Sequence, residues 1–452
     1  MRIDGQAALG HVLHLACDIG ARLVGSPGAD RAAAYVEEQF SAAGLRVACQ
    51  EFPALYGSAV AHSVEVLDPA LGAVASSPVL LSADTPPEGL EGELTILEGS
   101  DDLALESRPL SGRIVLWVIG SRAEFQTRLE ALARRGPKAI LIGWPATGIP
   151  PKNQQLPEVT ARRGLAMPAL CISFEQACAI AAAGALRARV VLTSRRFEGR
   201  TSNLIADVPG SKFPEEVVIV GAHYDTAPDV SGAIDNASGV ALILELARHF
   251  AARGSARTLR FIAWGGEKAG MIGSRHYVAA ARSPASPLGT FTGERRLEQH
   301  LLCISVDGVG LRLHRDACYT STDPSIAGAL GETARDLGAP LSITDSYFGS
   351  DSEMLTEAGV PGLSFGQEGP GLSVLHTSGD RIEVLDAERL GRLGELIGTF
   401  LSRSAARADP WPFERAVPPT ARERARRWLK AKGWIDLVPD EAHLNIDYRV
   451  QS

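Results

Sequence analysis

Three apolar runs in the second half of the chain end in polar or acidic residues, and this feature constrains the fold more than any other. The runs are EVVIVGAHYD, TLRFIAWGGE and HLLCISVDGVG, and the first leads into the helical pattern DNASGVALILELARHFAARG. Short apolar runs that alternate with helices predict the buried strands of an α/β sheet. Open α/β sheets bind their ligands at the carboxyl ends of the strands, so the polar residues there predict one common site.

The first of these strands contributes an imidazole and a carboxylate. His223 and Asp225 lie two residues apart in GAHYDT, so on a strand both side chains would project from the same face. Asp235 follows in AIDNASGV and is expected to open a helix, whose positive amino-terminal end would keep the carboxylate ionised. These three residues form the first part of the predicted site.

Three further candidates follow the other strands. Glu267 ends the strand FIAWGGE, Asp307 ends CISVDG, and His376 lies in the loop LHTSGD. A single aspartate at a strand end is usually a turn or capping residue, so the prediction rests on the joint pattern of imidazoles and carboxylates. Imidazole nitrogen and carboxylate oxygen are zinc ligands, and crowded carboxylates repel one another unless a cation compensates them. The pattern therefore predicts a metal-dependent site.

The stretch that carries these residues resembles the M28 family of zinc exopeptidases. The similar segments are GAHYDT, GAIDNASGV, FIAWGGEKAGMIGSRHYV, SVDGVG, SDSEMLTEAGVPGLSF and LHTSGD, in that order between residues 200 and 400. The resemblance implies an α/β fold, a three-layer phosphorylase/hydrolase-like domain with a mixed sheet. Residues 55–196 resemble, more loosely, an inserted protease-associated (PA) domain, through GRIVLWVIG, KAILIGW and MPALCISFEQACAI.

The resemblance and the local patterns together divide the chain into four predicted parts. Amphipathic helices are expected over 5–20 and 29–44, and a basic helix near 420–432. The parts are the N-terminal portion of the catalytic domain at 1–54, a PA-like inserted β/α domain at 55–196, the M28-like metallopeptidase domain at 197–404, and a C-terminal arm at 405–452. We expect the arm to wrap the core or to contact a second copy of the chain.

The resemblance also implies zinc as the cofactor, as one or two ions. One ion would be held by His223, Asp235 and Asp307. Asp235 would bridge to a second ion that His376 also holds. Two ions held in this way would together stabilise the attacking and leaving atoms of a displacement.

The implied activity is that of a metallo-exopeptidase, which hydrolyses an amide bond at the amino terminus of a peptide or in a small amide. Glu267 would be the general base that activates water and then passes the proton to the leaving amine. Asp225 would orient His223 by bonding to its second ring nitrogen. An amide hydrolase of the aminopeptidase type is therefore the predicted function.

Lys268 departs from the family pattern. The family normally places two adjacent acids here, and Lys268 occupies the position of the second acid, which is a metal ligand. A protonated amine cannot ligate a cation. Only six of the 45 basic residues are lysine, which makes a lysine at this position less expected by chance. We therefore count Lys268, with Glu267 and Asp225, among the candidate catalytic residues.

Four interpretations of Lys268 are open. The ammonium replaces one zinc ion, both ions are lost and the domain is a non-catalytic binding module, the lysine is carbamylated and ligates metal, or it swings out and another acid such as Glu353 or Glu368 substitutes. One ion is favoured over two if the lysine is unmodified. An ammonium in the site would also bind a substrate carboxylate or polarise a carbonyl, which makes a specialised hydrolase of a non-peptide amide a further alternative.

Charge and composition exclude several other classes of protein. The net charge is −8 and the pI about 5.8, with no basic stripe, so nucleic-acid binding is not expected. No apolar run approaches the roughly 20 residues that a bilayer-spanning helix needs, and the amino terminus lacks a signal-peptide pattern, so we expect no membrane partner and a cytoplasmic location. The six scattered cysteines include no CxxC pair, which argues against a disulfide scaffold.

Overall fold

The computed structural model describes residues 1–98, 105–106, 108–120, 125–165, 167–282 and 297–434. The helices discussed below are α1 Gly5–Leu13, α2 Pro27–Ala42, α3 Phe125–Ala133, α4 Glu158–Arg163, α5 Phe174–Ala182, α6 Ser238–Arg253, α7 Ile272–Arg282, α8 Pro324–Asp336, α9 Ser352–Glu357, α10 Ala387–Arg403 and α11 Pro419–Ala431. The strands are β1 Val47–Asp68, β2 Gly72–Val74, β3 Ser76–Leu80, β4 Leu90–Glu98, β5 Ile114–Val118, β6 Ala139–Gly143, β7 Gln154–Gln155, β8 Ala169–Ile172, β9 Arg187–Val208, β10 Gly210–His223, β11 Ser255–Trp264, β12 His300–Val306, β13 Arg315–Ser321, β14 Leu341–Asp345 and β15 Gly362–Glu368.

The larger unit is built on a mixed sheet. Strand β10 lies between β11 and β12 and runs parallel to both. Strand β15 continues the parallel pairing beside β12, whereas β9 and β13 pair antiparallel at either side of the parallel strands. Because β10, β11 and β12 run in one direction, their carboxyl ends meet at a single edge of the sheet.

Helices cover both faces of this sheet and form the predicted three layers. Val218 and Val220 of β10 face a core shared with α1, α2, α6, α8 and α10. Val217 and Ile219 of the same strand face the opposite core, shared with α7, α9 and α11. A strand buried on both faces needs apolar residues at every position, which explains the unbroken run VVIV. The α/β fold with a large mixed sheet is confirmed.

A two-stranded ribbon connects this unit to the inserted one. Strands β1 and β9 each span 22 residues and pair antiparallel from Val47↔Ala206 to Asp68↔Arg187. The far end of the ribbon joins β4, which leads through β5, β6 and β8 to β3, with α3 and α5 packed on opposite faces. The predicted boundaries of the insert fall inside the ribbon, near the pair Tyr56↔Phe197, and the PA-like assignment stays a prediction.

Most of the elements expected from the sequence are present, with shifted ends. The first expected helix, 5–20, is α-helical as far as Leu13 and continues as wider π-helical turns over His14–Ile19. The basic helix expected near 420–432 is α11, which packs against the α9 face of the larger unit. All six cysteines are free thiols. Within the described ranges, no helix combines the length and the apolar character that a bilayer crossing requires.

Candidate metal centre

The candidate side chains gather at the edge where the parallel strands end. His223 is the last residue of β10, and Asp307 follows β12 directly. Glu267 lies three residues beyond the end of β11. His376 reaches the same place from a loop that follows β15. The common direction of the strands therefore brings together residues that are up to 153 positions apart, from His223 to His376.

Three of these residues form one compact donor set. His223 Nε2 lies 3.1 Å from Asp235 Oδ1 and 3.6 Å from Asp307 Oδ1. The three ligand atoms lie within 4.8 Å of one another, and no other group of three such donors occurs in the part of the chain that the structure describes. His376 stands on the far side, with its Nε2 3.0 Å from the other Asp235 oxygen, Oδ2. The set therefore offers one nitrogen and two carboxylate oxygens to an ion, and Asp235 connects it to His376.

Asp225 holds the loop that carries the predicted general base. Its Oδ1 accepts hydrogen bonds from the backbone N–H groups of Gly266 and Glu267, each at 3.0 Å, and its Oδ2 accepts from the N–H of Lys268 at 2.9 Å. His223 Nδ1 lies 3.0 Å from the Asp225 carbonyl oxygen and 3.6 Å from Oδ1 of its carboxylate. Asp225 therefore contacts the imidazole mainly through its backbone, while its carboxylate positions the loop.

The glycine before Glu267 allows this tight turn. Gly266 has a φ of +78°, in the left-handed region that favours glycine. A Cβ atom there would also lie only 2.3 Å from Ile272. The sequence GGE therefore brings three consecutive N–H groups around one carboxylate, and Glu267 emerges on the side that faces the donor set.

The expectation that Asp235 opens a helix is wrong. Helix α6 begins at Ser238, and Asp235 has a non-helical backbone with a cis peptide bond to Asn236. The position of Asp235 is fixed instead by Asp380, whose carboxylate accepts the N–H of Ile234 at 2.7 Å and that of Asp235 at 3.2 Å. Side-chain hydrogen bonds, rather than the helix dipole, therefore hold this ligand in place.

Arg22 supports the same loop from the N-terminal segment. Its guanidinium is fully buried and donates to the carbonyl oxygens of Tyr224, Ser231 and Gly232 at 2.6–2.9 Å. Burial lowers the pKa of Arg22 to about 10. Sequence reasoning missed Arg22, and it missed Asp380 although that residue lies in the quoted segment LHTSGD. A buried arginine has no local pattern that would reveal it.

Lys268 points into the centre. Its Nζ lies 2.9 Å from Asp235 Oδ1, 2.7 Å from Glu267 Oε2 and 3.4 Å from His223 Nε2. Burial would lower the pKa of Lys268, but Asp235 and Glu267 outweigh it and raise that pKa above its ordinary value. The side chain is therefore an ammonium ion held between two carboxylates.

The interpretation in which Lys268 swings out and another acid replaces it is wrong in this structure. Glu368 is ion-paired with Arg315 on the neighbouring strand. Glu353 is buried in α9, where backbone groups of Phe348 and Gly349 hydrogen-bond to it. Neither acid contacts the donor set.

The charges in the centre are strongly coupled. Burial raises the pKa of Glu267, so this carboxyl group holds a proton more readily than an exposed glutamate. Burial also acts to raise the pKa of Asp235, but Lys268 and the two imidazoles keep it well below its usual range. Asp235 is consequently an anion, as a metal ligand must be, and Glu267 is suited to accepting a proton.

The donor atoms fit a divalent cation. Asp235 Oδ1 and Glu267 Oε2 are buried and accept no hydrogen bond with acceptable geometry from the described residues, although Lys268 Nζ lies within ion-pair distance of both. Buried polar atoms are normally satisfied. Mixed imidazole and carboxylate donors are the ligands of zinc sites, so an ion would supply the partner that Asp235 Oδ1 lacks.

The centre opens into a cleft of about 540 Å³ between the two units. Six of the side chains that line it are aromatic, and they come from the insert, the larger unit and the predicted C-terminal arm: Phe125, Trp144, Tyr347, Phe348, Trp428 and Trp434. The arm also contributes Lys432. Residues 435–452 of the predicted arm lie outside the described residues.

Burial of Glu353 predicts a pH-dependent stability. Its pKa is raised from 4.5 to about 8, mainly because burial disfavours the charged form. The folded state therefore binds this proton more tightly than the unfolded state, so the stabilisation is complete below pH 4.5 and is lost as the pH rises through about 8. The Glu353→Gln variant should lack this contribution, which amounts to about 1.4 kcal/mol per pH unit at most.

Urea unfolding of the wild type and of Glu353→Gln between pH 5 and pH 8 would measure the difference. Asp351, whose pKa burial also raises to about 8, is present in both proteins, so its effect cancels in the comparison. Equal slopes of unfolding free energy against pH would show that Glu353 does not retain its proton.

The chain is similar to known peptidases. The profile of Peptidase family M28 matches residues 203–401. Carboxypeptidase Q from Bos taurus is 26% identical over 399 residues, which cover 82% of this chain and 79% of that protein. Aminopeptidase YwaD from Bacillus subtilis (strain 168) is 30% identical over 218 residues, covering 46% of this chain and 45% of the relative.

Solved structures share the fold over most of the chain. A zinc aminopeptidase from Bacillus subtilis is 22% identical, with a TM-score of 0.72, and the match covers 92% of this chain and 98% of that one. A peptidase M28 precursor from Shewanella amazonensis SB2B is also 22% identical, with a TM-score of 0.75 and coverage of 90% and 96%. Residues 203–401, which contain all seven predicted site side chains, therefore belong to peptidase family M28.

Proposed function

We propose that this protein is a zinc-dependent exopeptidase that uses one ion, held by His223, Asp235 and Asp307. The convergence of these three buried donors beside Glu267 is the observation that carries the proposal. Membership of a peptidase family supports it, as do relatives named as a carboxypeptidase, an aminopeptidase and a zinc aminopeptidase.

A zinc ion bound here would lower the pKa of water and polarise the scissile carbonyl. Glu267 then accepts the proton of the attacking water and delivers it to the leaving nitrogen. Its raised pKa favours the first half of this transfer, in which the carboxylate accepts the proton. Asp225 fixes the loop from Gly266 to Lys268, so the Glu267 carboxylate stays within 3.9 Å of His223 Nε2.

Lys268 supplies part of the positive charge that a second ion would bring. At about 4 Å and an effective dielectric of 20, an ammonium and a carboxylate attract by roughly 4 kcal/mol, and Lys268 Nζ is closer than this to both Asp235 and Glu267. In the described part of the chain, the second position retains only His376 and Asp235 Oδ2, fewer than the three protein ligands of a catalytic zinc site. One ion with one ammonium is therefore the composition that we propose.

The aromatic cleft selects the substrate. Six aromatic side chains line it beside the donor set, and such walls bind large apolar groups. We therefore propose peptides with a large apolar residue next to the scissile bond, rather than small or charged ones.

Removal and return of metal test the function. The full chain, stripped with a chelator, should lose hydrolysis of a panel of aminoacyl amides, dipeptides and carboxyl-terminal peptide substrates, and should regain it at one zinc per chain. Hydrolysis that survives complete removal of the metal would contradict a metallo-exopeptidase. A chain that neither binds zinc nor hydrolyses any substrate would support the non-catalytic binding module instead.

A further inference from the structure

A short segment of the inserted unit, residues 152–154, forms hydrogen bonds to the loop that carries His376. Lys152 Nζ donates to the carbonyl oxygens of Ser373 and Leu375. The N–H of Asn153 donates to the carbonyl oxygen of His376 at 2.7 Å. Gln154 then places its side-chain amide 3.0 Å from His376 Nδ1. Three consecutive residues of one unit thus hold the backbone and the ring of a residue in the other.

This segment is anchored in the insert. Gln154 and Gln155 form strand β7, which pairs with β3. The Gln155 side chain accepts the N–H of Gly57 at 3.0 Å and donates to the carbonyl oxygen of Leu55 at 3.3 Å. The segment that contacts His376 is therefore hydrogen-bonded to the ribbon strand β1 and is not a free loop.

The backbone of His376 needs such support. Its φ is +62°, in the left-handed region that a residue with a Cβ atom rarely adopts. The hydrogen bonds from Asn153 and Lys152 fix the carbonyl groups on both sides of this conformation. Without them the loop would relax toward an ordinary backbone, and the imidazole would turn away from Asp235.

Gln154 also fixes the orientation of the imidazole ring. Its side-chain amide contacts His376 Nδ1 on one side of the ring, and His376 Nε2 on the other side lies 3.0 Å from Asp235 Oδ2. With Oδ2 engaged, the carboxylate turns its other oxygen, Oδ1, toward His223, 3.1 Å away. A continuous chain of contacts thus leads from Gln154 through His376 to the donor set.

We infer that Gln154 is a positioning residue for the metal centre, and that the inserted unit completes the site by orienting Asp235 through His376. This inference rests on the proposed function, because it concerns how strongly the chain holds its ion. Partners of ligating groups typically change metal affinity by 10-fold to 100-fold when they are removed. His376 thereby strengthens binding of the ion by orienting Asp235, although it is not one of the three proposed ligands.

The test measures metal binding rather than activity. The wild-type chain and the variants Gln154→Leu and Gln154→Glu would be titrated with cobalt(II), which imidazole and carboxylate sites accept in place of zinc, in competition with a chelator. We expect Gln154→Leu to bind cobalt about 10-fold more weakly or worse, with an altered visible absorption spectrum. Gln154→Glu keeps a side chain of the same length with a polar atom that reaches Nδ1, so it should stay within about threefold of the wild type.

A matched control removes a glutamine elsewhere in the insert. Gln176 belongs to the capping box of α5 and accepts the N–H of Ser173, so Gln176→Leu should lower stability and leave cobalt binding unchanged. Equal affinity and an equal spectrum for the wild type and Gln154→Leu would overturn the inference alone. Failure of the wild type to bind cobalt or zinc would overturn the proposed function, and the inference with it.

Discussion

The Glu267→Gln variant is expected to keep its zinc and to lose between about a hundredfold and ten-thousandfold in kcat. Glutamine preserves the shape of the side chain and its contact with Lys268 but cannot accept a proton. Glu267 is not one of the three proposed ligands, and its Oε2 lies 3.9 Å from His223 Nε2. Steady-state kinetics on the best substrate of the panel, together with zinc content per chain, would measure both quantities.

A control for this variant is Glu368→Gln, which also removes one carboxylate near the end of a central strand. Glu368 pairs with Arg315 at the surface and contacts none of the donor atoms, so kcat should change little. A Glu267→Gln protein that retains full zinc and wild-type kcat would show that another group accepts the proton. Loss of zinc together with activity would instead identify Glu267 as a ligand.

The convergence of the site residues at one edge of the sheet could be predicted from the sequence, because it follows from the direction of the strands. The apolar runs before His223 and Asp307 mark buried strands, and parallel strands bring their ends to one edge regardless of distance along the chain. The backbone at Asp235 could not be predicted in this way. The segment AIDNASGV has the pattern of a helix start, yet its N–H groups donate to the carboxylate of Asp380 instead of forming helical hydrogen bonds. Asp380 is distant in the sequence, so the local pattern gives no sign of it.

The residues that support the site could not be predicted from the sequence, for the same reason. Arg22 bonds to Gly232 across 210 residues, and Gln154 bonds to His376 across 222. Both contacts arise only when separate parts of the chain dock, so neither leaves a spacing or a periodicity. The cytoplasmic location and a contact between copies of the chain through the C-terminal arm stay predictions, since they concern properties outside a single folded chain.

Replacing Lys268 with glutamate is expected to raise the zinc content from one to two ions per chain. The new carboxylate would stand beside Asp235 Oδ1 and His223 Nε2, which Lys268 contacts, and would add a fifth donor residue to His223, Asp235, Asp307 and His376, so that two ions share the centre through Asp235. Without metal, the same change replaces an attraction by a repulsion from Asp235 and Glu267, each of about 4 kcal/mol at 4 Å and a dielectric of 20. The metal-free variant should therefore be much less stable than the metal-free wild type, and zinc should restore most of the difference.

Zinc analysis after gel filtration and thermal unfolding with and without zinc would measure these effects. The variant Lys268→Met separates charge from ligation, because it removes the ammonium without adding a donor, and it should bind one ion only. Two ions in the wild type would mean that Lys268 is carbamylated or that a further residue ligates, since an ammonium cannot. If the Lys268→Glu variant binds only one ion, Gln154 and Asp235 hold His376 too firmly for it to serve as a ligand. In that case Lys268 is not the reason why the site binds a single ion.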